Sequence, residues 1–138
     1  MILHVLQTEK TPEVTLDDTR SLFQIKGNCL PENIRDFSQM VTEKLEGYLQ
    51  ELDRDKTNKS KNMPFRVNFK LGYFNTAAAK FIADVLMIIK PHLEKDILVK
   101  IYWHYHEEDY DMLEAGEDIA TMVEVPMNYV MVAESNEQ

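Results

Sequence analysis

The chain has 138 residues, of which 44% are hydrophobic and 28% are charged, and its formal net charge is −9. This length is enough for one domain with a hydrophobic core and is short for two, so we expect residues 1–138 to form a single domain. The acidic balance disfavours a nucleic-acid backbone or an anionic membrane surface as the main partner.

Three features of the sequence indicate a cytoplasmic protein. The single cysteine, Cys29, cannot form an intramolecular disulfide, which favours a reducing compartment. The opening segment, MILHVLQTEK, has neither the basic start nor the long apolar run of a secretory signal. The longest apolar segment, Phe81 to Ile89, is too short to span a bilayer.

The first part of the chain has the pattern of short β-strands. Candidate strands run from Ile2 to Gln7, from Glu13 to Leu16, and from Ser21 to Lys26, where Gly27 and Asn28 close the last one. We expect these strands to be antiparallel and to give the domain a β-rich N-terminus.

Helical periodicity begins at Pro31 and continues to Leu52, with apolar residues at intervals of three and four. Pro31 suits the first position of a helix. The segment from Asp53 to Asn62, DRDKTNKSKN, has no apolar residue and is predicted to be an exposed loop.

The second half of the chain alternates between strand and helix patterns. Such an order implies right-handed crossovers and a mixed, mostly parallel sheet with helices packed on it, that is, an α/β fold. The predicted elements are a strand from Phe65 to Tyr73, a helix that Pro91 ends, a strand from Ile97 to His106, a helix from Tyr110 to Val123 and a strand near Met127 to Val132.

The segment VNFKLGYFNTAAAK, residues 67–80, joins an alternating strand to a helix. The first turn of a helix has free backbone N–H groups and the positive end of the helix dipole, which suit a negative group. Asn75 and Thr76 are both good N-cap residues, and Thr76 carries the only hydroxyl at the start of this helix. Spacing alone leaves open whether Thr76 caps the helix or is modified.

An acidic run follows the strand that ends at His106. The ends of parallel strands meet at one edge of a sheet, so we expect this run to lie near Thr76. It is a solvated face, a docking surface for a partner or a site for a hard cation, although its spacing does not match a calcium loop. Gly116, within the run, is expected to permit a close backbone approach. The run comprises Glu107, Glu108, Asp109, Asp111, Glu114, Glu117 and Asp118.

Signs of an enzyme are weak. His104 and His106 point to the same face of a strand and could bind a metal beside the acidic run, but no third ligand stands at a diagnostic spacing. No catalytic triad order, Cys–His pair or glycine-rich phosphate loop is present, and we expect no cofactor. His4 and His92 are interpreted as incidental.

Four segments, in the same order and covering most of the chain, resemble the SiaC family of bacterial regulatory phosphoproteins. The resemblance implies a STAS-like fold, as in the antagonists of anti-sigma factors. The segments are TEKTPEVTLDD, GNCLPENIRDF, YFNTAAAK and IYWHYHEEDYDMLEAGED.

The same resemblance implies a function. In the family, a kinase phosphorylates a threonine in a Tyr-x-Asn-Thr segment and a phosphatase removes the phosphate, which here points to Thr76 preceded by Tyr73 and Asn75. Alanines 77–79 replace the family's small hydroxyl residues. Unphosphorylated relatives activate a diguanylate cyclase in cyclic-di-GMP signalling and biofilm formation, so a cyclase is the expected partner, bound through Tyr73, Asn75 and the acidic run. The alternatives are an unmodified adaptor and a metal-dependent enzyme using His104 and His106.

Overall fold

The computed structural model describes residues 1–54, 63–94 and 98–133. The described residues form six strands, three α-helices and one short 3₁₀ helix. In chain order these are β1 (Leu3–Val5), β2 (Glu13–Asp17), β3 (Leu22–Cys29), α1 (Arg35–Arg54), β4 (Phe65–Phe74), α2 (Thr76–Ile89), the 3₁₀ helix (Lys90–His92), β5 (Val99–His106), α3 (Tyr110–Val123) and β6 (Asn128–Val132).

The six strands form one sheet whose spatial order is the order of the chain. The pairs β1–β2 and β2–β3 are antiparallel, whereas β3–β4, β4–β5 and β5–β6 are parallel. The predicted antiparallel start and mixed, mostly parallel sheet are therefore confirmed, and the arrangement fits a STAS-like α/β domain.

All three α-helices pack on the same face of the sheet. Each connects two neighbouring parallel strands, and right-handed crossovers of this kind place successive helices on one face. Alternate residues of β4 from Phe65 to Leu71 are buried in one core together with residues of α1, α2 and α3. Between them, Arg66, Asn68 and Lys70 point to the opposite face. We call this opposite side, on which none of the described α-helices packs, the helix-free face.

The first helix begins later than its sequence pattern predicts. α1 starts at Arg35 rather than at Pro31, and the Oδ1 atom of Asn33 accepts a hydrogen bond from the Arg35 N–H at 3.0 Å. The carbonyl of Pro31 accepts a hydrogen bond from the Nδ2 atom of Asn75 at 3.2 Å. Pro31 is therefore held by a distant part of the chain, which keeps it out of the helix.

Two other boundaries also differ from the prediction. β3 runs through Gly27 and Asn28 to Cys29, with an irregular step in its pairing with β4 between Gly27 and Cys29. Asp53 and Arg54 belong to α1 rather than to a loop. The rest of the predicted loop, residues 55–62, lies outside the described residues, and so does residue 97, where the predicted strand from Ile97 to His106 begins.

The interpretation of His92 as incidental is wrong. Its side chain is buried, and its Nδ1 atom lies 2.9 Å from the Oδ2 atom of Asp53. This contact joins the 3₁₀ helix to the end of α1. His4 also has a partner, since its Nε2 atom lies 3.0 Å from the Oε2 atom of Glu13.

In the described ranges, no helix has the length and apolarity needed to cross a bilayer.

The side chain of Trp103 joins α3 to the sheet. It is fully buried against the rings of Phe69 and Phe74, and its Nε1–H donates a hydrogen bond to the carbonyl of Met112 at 2.9 Å. A Cβ atom at Gly116 would lie 2.6 Å from the indole ring. The prediction that Gly116 permits a close backbone approach is confirmed.

Gly116→Ala is expected to destabilise the protein by about 1–3 kcal/mol, because the added methyl group overpacks the Trp103 ring. Gly47→Ala is the matched control: Gly47 lies on the exposed side of α1 with no atom near its missing Cβ. The control is expected to gain about 0.5–1 kcal/mol from helix propensity. Urea unfolding followed by circular dichroism measures both, and equal effects of the two substitutions would contradict the packing.

Candidate functional site

The turn between β4 and α2, residues 73–76, is held by the side chain of Asn75. Its backbone is extended, with φ −101° and ψ −176°, and its Oδ1 atom accepts a hydrogen bond from the Ala78 N–H at 2.9 Å. Its Nδ2 group binds the carbonyl of Pro31, and its backbone N–H donates to the carbonyl of Cys29 at 3.3 Å. Asn75 is therefore the N-cap of α2 and also fixes the turn to the preceding loop.

Thr76 is the first residue of α2, and its side chain is exposed. Its hydroxyl forms no hydrogen bond with any residue that the structure describes, and the same holds for the backbone N–H groups of Thr76 and Ala77. The interpretation of Thr76 as a helix cap is thus not supported, since Asn75 performs that role. What remains is an accessible hydroxyl at the positive end of a helix.

Tyr73 is three residues before Thr76 and is 77% exposed. Its backbone N–H donates a hydrogen bond to the Oδ1 atom of Asn28 at 2.9 Å. A Cβ atom at position 72 would collide with that same Oδ1 atom, so Gly72 is needed for the contact. Asn28 and Gly72 were not predicted as part of the site, because they act through a contact between neighbouring strands that has no sequence signature.

The acidic run is exposed along its whole length. Asp109 has a structural role, since it is the N-cap of α3 and its Oδ1 atom accepts a hydrogen bond from the Met112 N–H at 3.1 Å. Glu108 adopts the left-handed region, with φ 70°, in the tight turn before it. In the described part of the chain, no carboxylate of the run forms an ion pair.

The start of the acidic run and Thr76 leave the sheet at the same edge. β4 and β5 are parallel neighbours, the ring of Phe74 packs against Trp103 at 6.1 Å between centroids, and α2 contacts α3. The end of the acidic run lies further along α3. Glu117 is two turns along α3, where it raises the pKa of Tyr129 on β6 in addition to the larger effect of burial.

His104 and His106 lie on the helix-free face, as their spacing predicts. Burial lowers the pKa of His104, and the positive charge of Lys70 lowers it further. Within residues 1–54, 63–94 and 98–133, no group of three or more His, Cys, Asp and Glu side chains is placed to hold a metal ion. The metal-dependent alternative therefore has no ligand set in this part of the chain.

This chain is similar to known proteins in sequence and in fold. A family model described as SiaC family regulatory phosphoprotein matches residues 5–132. An uncharacterized protein of Pseudomonas aeruginosa (strain UCBPP-PA14) is 24% identical over 116 residues, which cover 84% of this chain and 85% of the relative.

Two solved structures share the fold. The crystal structure of apo-SiaC from Pseudomonas aeruginosa has a TM-score of 0.72 at 21% identity and covers 93% of this chain and 97% of its own. A chain in the crystal structure of the diguanylate cyclase SiaD in complex with its activator SiaC, from the same organism, has a TM-score of 0.72 at 20% identity. That match covers 96% of this chain and 99% of the other.

Substitutions at Asn75 and Thr76 should distinguish the stabilising role of the helix cap from that of the exposed hydroxyl. Asn75→Ala is expected to cost about 1 kcal/mol or more of stability, because the N-cap bond to Ala78 is lost. Thr76→Ala should change stability by less than about 0.5 kcal/mol, since the hydroxyl has no partner to lose. Chemical denaturation of both variants measures the difference, and a loss with Thr76→Ala as large as that with Asn75→Ala would show that Thr76 is a structural residue.

Proposed function

The chain belongs to the SiaC family of regulatory phosphoproteins, and from that premise we propose that it is a non-enzymatic cytoplasmic switch set by reversible phosphorylation of Thr76. A protein kinase adds the phosphate and a phosphatase removes it. The observation that carries this proposal is the exposed hydroxyl of Thr76 at the N-terminus of α2, which forms no hydrogen bond with the described residues. The neighbouring alanines 77–79 offer no competing hydroxyl.

The junction can accept a phosphate without refolding. A phosphothreonine adds about −1.5 to −2 charges, and the free N–H groups of Thr76 and Ala77 together with the helix dipole suit that charge. Asn75 keeps its cap bond to Ala78 in either state, since the Thr76 hydroxyl does not take part in it. Phosphorylation therefore changes the charge and shape of the surface rather than the fold.

The proposed partner is a diguanylate cyclase, which places the protein in cyclic-di-GMP signalling and biofilm regulation. Support comes from the solved structure in which a similar chain is the activator of such an enzyme. In this proposal the unphosphorylated protein binds the cyclase through the exposed Tyr73, the Asn75 turn and the acidic run. Phosphate at Thr76 would add negative charge and bulk at the edge from which Tyr73 and the start of the acidic run both project.

We expect phosphorylation of Thr76 to weaken cyclase binding by about 5- to 150-fold, the range of a 1–3 kcal/mol coupling. Peptide mapping of protein from its native cell should find the phosphate on the peptide containing Thr76. Calorimetry of the unmodified and phosphorylated forms against the purified cyclase then measures the two affinities.

Thr76→Ala should be unmodifiable and should remain bound to the cyclase under conditions in which the wild type is released. Thr121→Ala is the control, since Thr121 is also exposed on a helix but its hydroxyl donates to the Glu117 carbonyl at 2.9 Å. Absence of phosphate at Thr76 under several growth conditions would favour a constitutive adaptor. Equal affinities of the two forms would refute the switch.

A second experiment tests the acidic run. Neutralising Glu107, Glu108 and Asp111 together is expected to slow association with the cyclase several-fold and to reduce its dependence on salt, because exposed charges act mainly on the encounter rate. Asp109 is kept, since it caps α3. Stopped-flow or surface-plasmon kinetics measure the rates. Neutralising Glu43 and Glu46 on the exposed side of α1 should leave them unchanged, and an equal effect of both sets would make the run a solvated face only.

A further inference from the structure

The helix-free face contains a cleft that the proposed switch does not use. The cleft lies at the carboxyl ends of β3, β4 and β5, has a volume of about 770 Å³, and is lined in part by Gln7, Lys26, Lys70, His104 and His106. Its size is within the usual range for sites that hold small organic ligands. The carboxyl ends of parallel strands are also where ligands of open α/β sheets usually bind.

Two like charges stand side by side in this cleft. Lys26 on β3 and Lys70 on β4 are directly opposite each other in the register of the two strands. Like charges in directly opposite positions destabilise a sheet. In a chain with a net charge of −9, two neighbouring lysines that have no ion pair among the described residues are a feature that an anionic ligand would explain.

Neither lysine of the pair forms an ion pair within the described residues. The carboxylate next to them in register is Glu13 on β2, opposite Lys26, and it pairs with His4 instead. Within the described part of the chain, the two ammonium groups are therefore available to an incoming anion.

The groups around the two lysines also favour the binding of an anion. Burial lowers the pKa of Lys70, and the charges of Lys26 and Arg66 lower it further. The buried Nε2 atom of His104 has no hydrogen-bond partner in the described part of the chain, which is costly for a polar atom. An anion bound between these groups would relieve the repulsion between the cations.

We propose that this cleft binds a small phosphorylated molecule, whose phosphate group lies against the ammonium groups of Lys26 and Lys70. A phosphate suits two neighbouring cations better than a single carboxylate does, since it carries up to two charges and three acceptor oxygens. The volume of the cleft leaves room for an organic group attached to the phosphate. This site is assembled from side chains on separate strands rather than from a glycine-rich loop.

The test uses the unmodified full-length protein with ¹⁵N labelling and no cyclase, so its result is independent of Thr76. Inorganic pyrophosphate is the probe, and succinate at equal ionic strength is the comparison anion. We expect saturable amide shifts centred on Lys26, Gly27, Lys70, Gly72 and His104 with pyrophosphate, and at least tenfold weaker binding of succinate. The absence of saturable shifts in this region, or equal binding of the two anions, would overturn the proposal.

Lys26→Gln combined with Lys70→Gln should weaken pyrophosphate binding at least tenfold. Lys100→Gln is the matched control, because Lys100 is exposed on the same face towards the other end of β5, and it should change binding less than twofold. An equal loss in the control would mean non-specific attraction and would contradict the site.

Each single substitution, Lys26→Gln or Lys70→Gln, should also raise the melting temperature of the free protein, because the lysines repel each other. This measurement shows that the variants are folded. A lowered melting temperature would mean that the two lysines stabilise the fold, and it would count against a site maintained for a ligand.

Discussion

Parallel pairing of strands in chain order is the constraint on which the rest of this structure depends. Because β3, β4, β5 and β6 are neighbours in sequence and in space, each connection between them is a helix that crosses over on the same side. One face of the sheet is therefore buried under the three described α-helices, and none of these lies on the other face. The same pairing also brings the carboxyl ends of β4 and β5, and the turns that follow them, to a single edge.

At this edge two adjacent residues, Asn75 and Thr76, have different roles at the start of α2. Asn75 satisfies the N–H of Ala78 and ties the turn to Pro31, so the stability of α2 does not depend on its first hydroxyl. Thr76 is exposed at the end of the helix that favours negative charge, and its hydroxyl has no hydrogen-bond partner among the described residues. A side chain that makes no contact needed for the fold can be modified with little loss of stability, and a phosphorylation switch requires this property.

The chain is acidic overall, but its structure has two surfaces of opposite charge. Exposed carboxylates occupy the turn before α3 and the outer side of that helix, whereas Arg66, Lys70, Lys26 and Lys100 stand on the helix-free face. The two surfaces suit different partners, although the proposed ligand cleft includes Gly72 and His106, which directly precede Tyr73 and Glu107 of the proposed protein contact. A helix-free face with a positive cleft is a consequence of the topology, because no crossover helix covers these side chains.

The sequence by itself determined the elements whose signals are local. α3 begins and ends where its periodicity predicts. The alternation of β4 matches its buried residues from Phe65 to Leu71, whereas Tyr73, which continues the alternation, is exposed. Only the tertiary structure decided which of Asn75 and Thr76 caps α2, where α1 begins, and that His92 meets Asp53. The same is true of the juxtaposition of Lys26 and Lys70, which are 44 residues apart and meet only through strand register. Periodicity and capping depend on neighbours within a few residues, whereas these contacts depend on how distant segments pair, and a single sequence carries no local signal for that pairing.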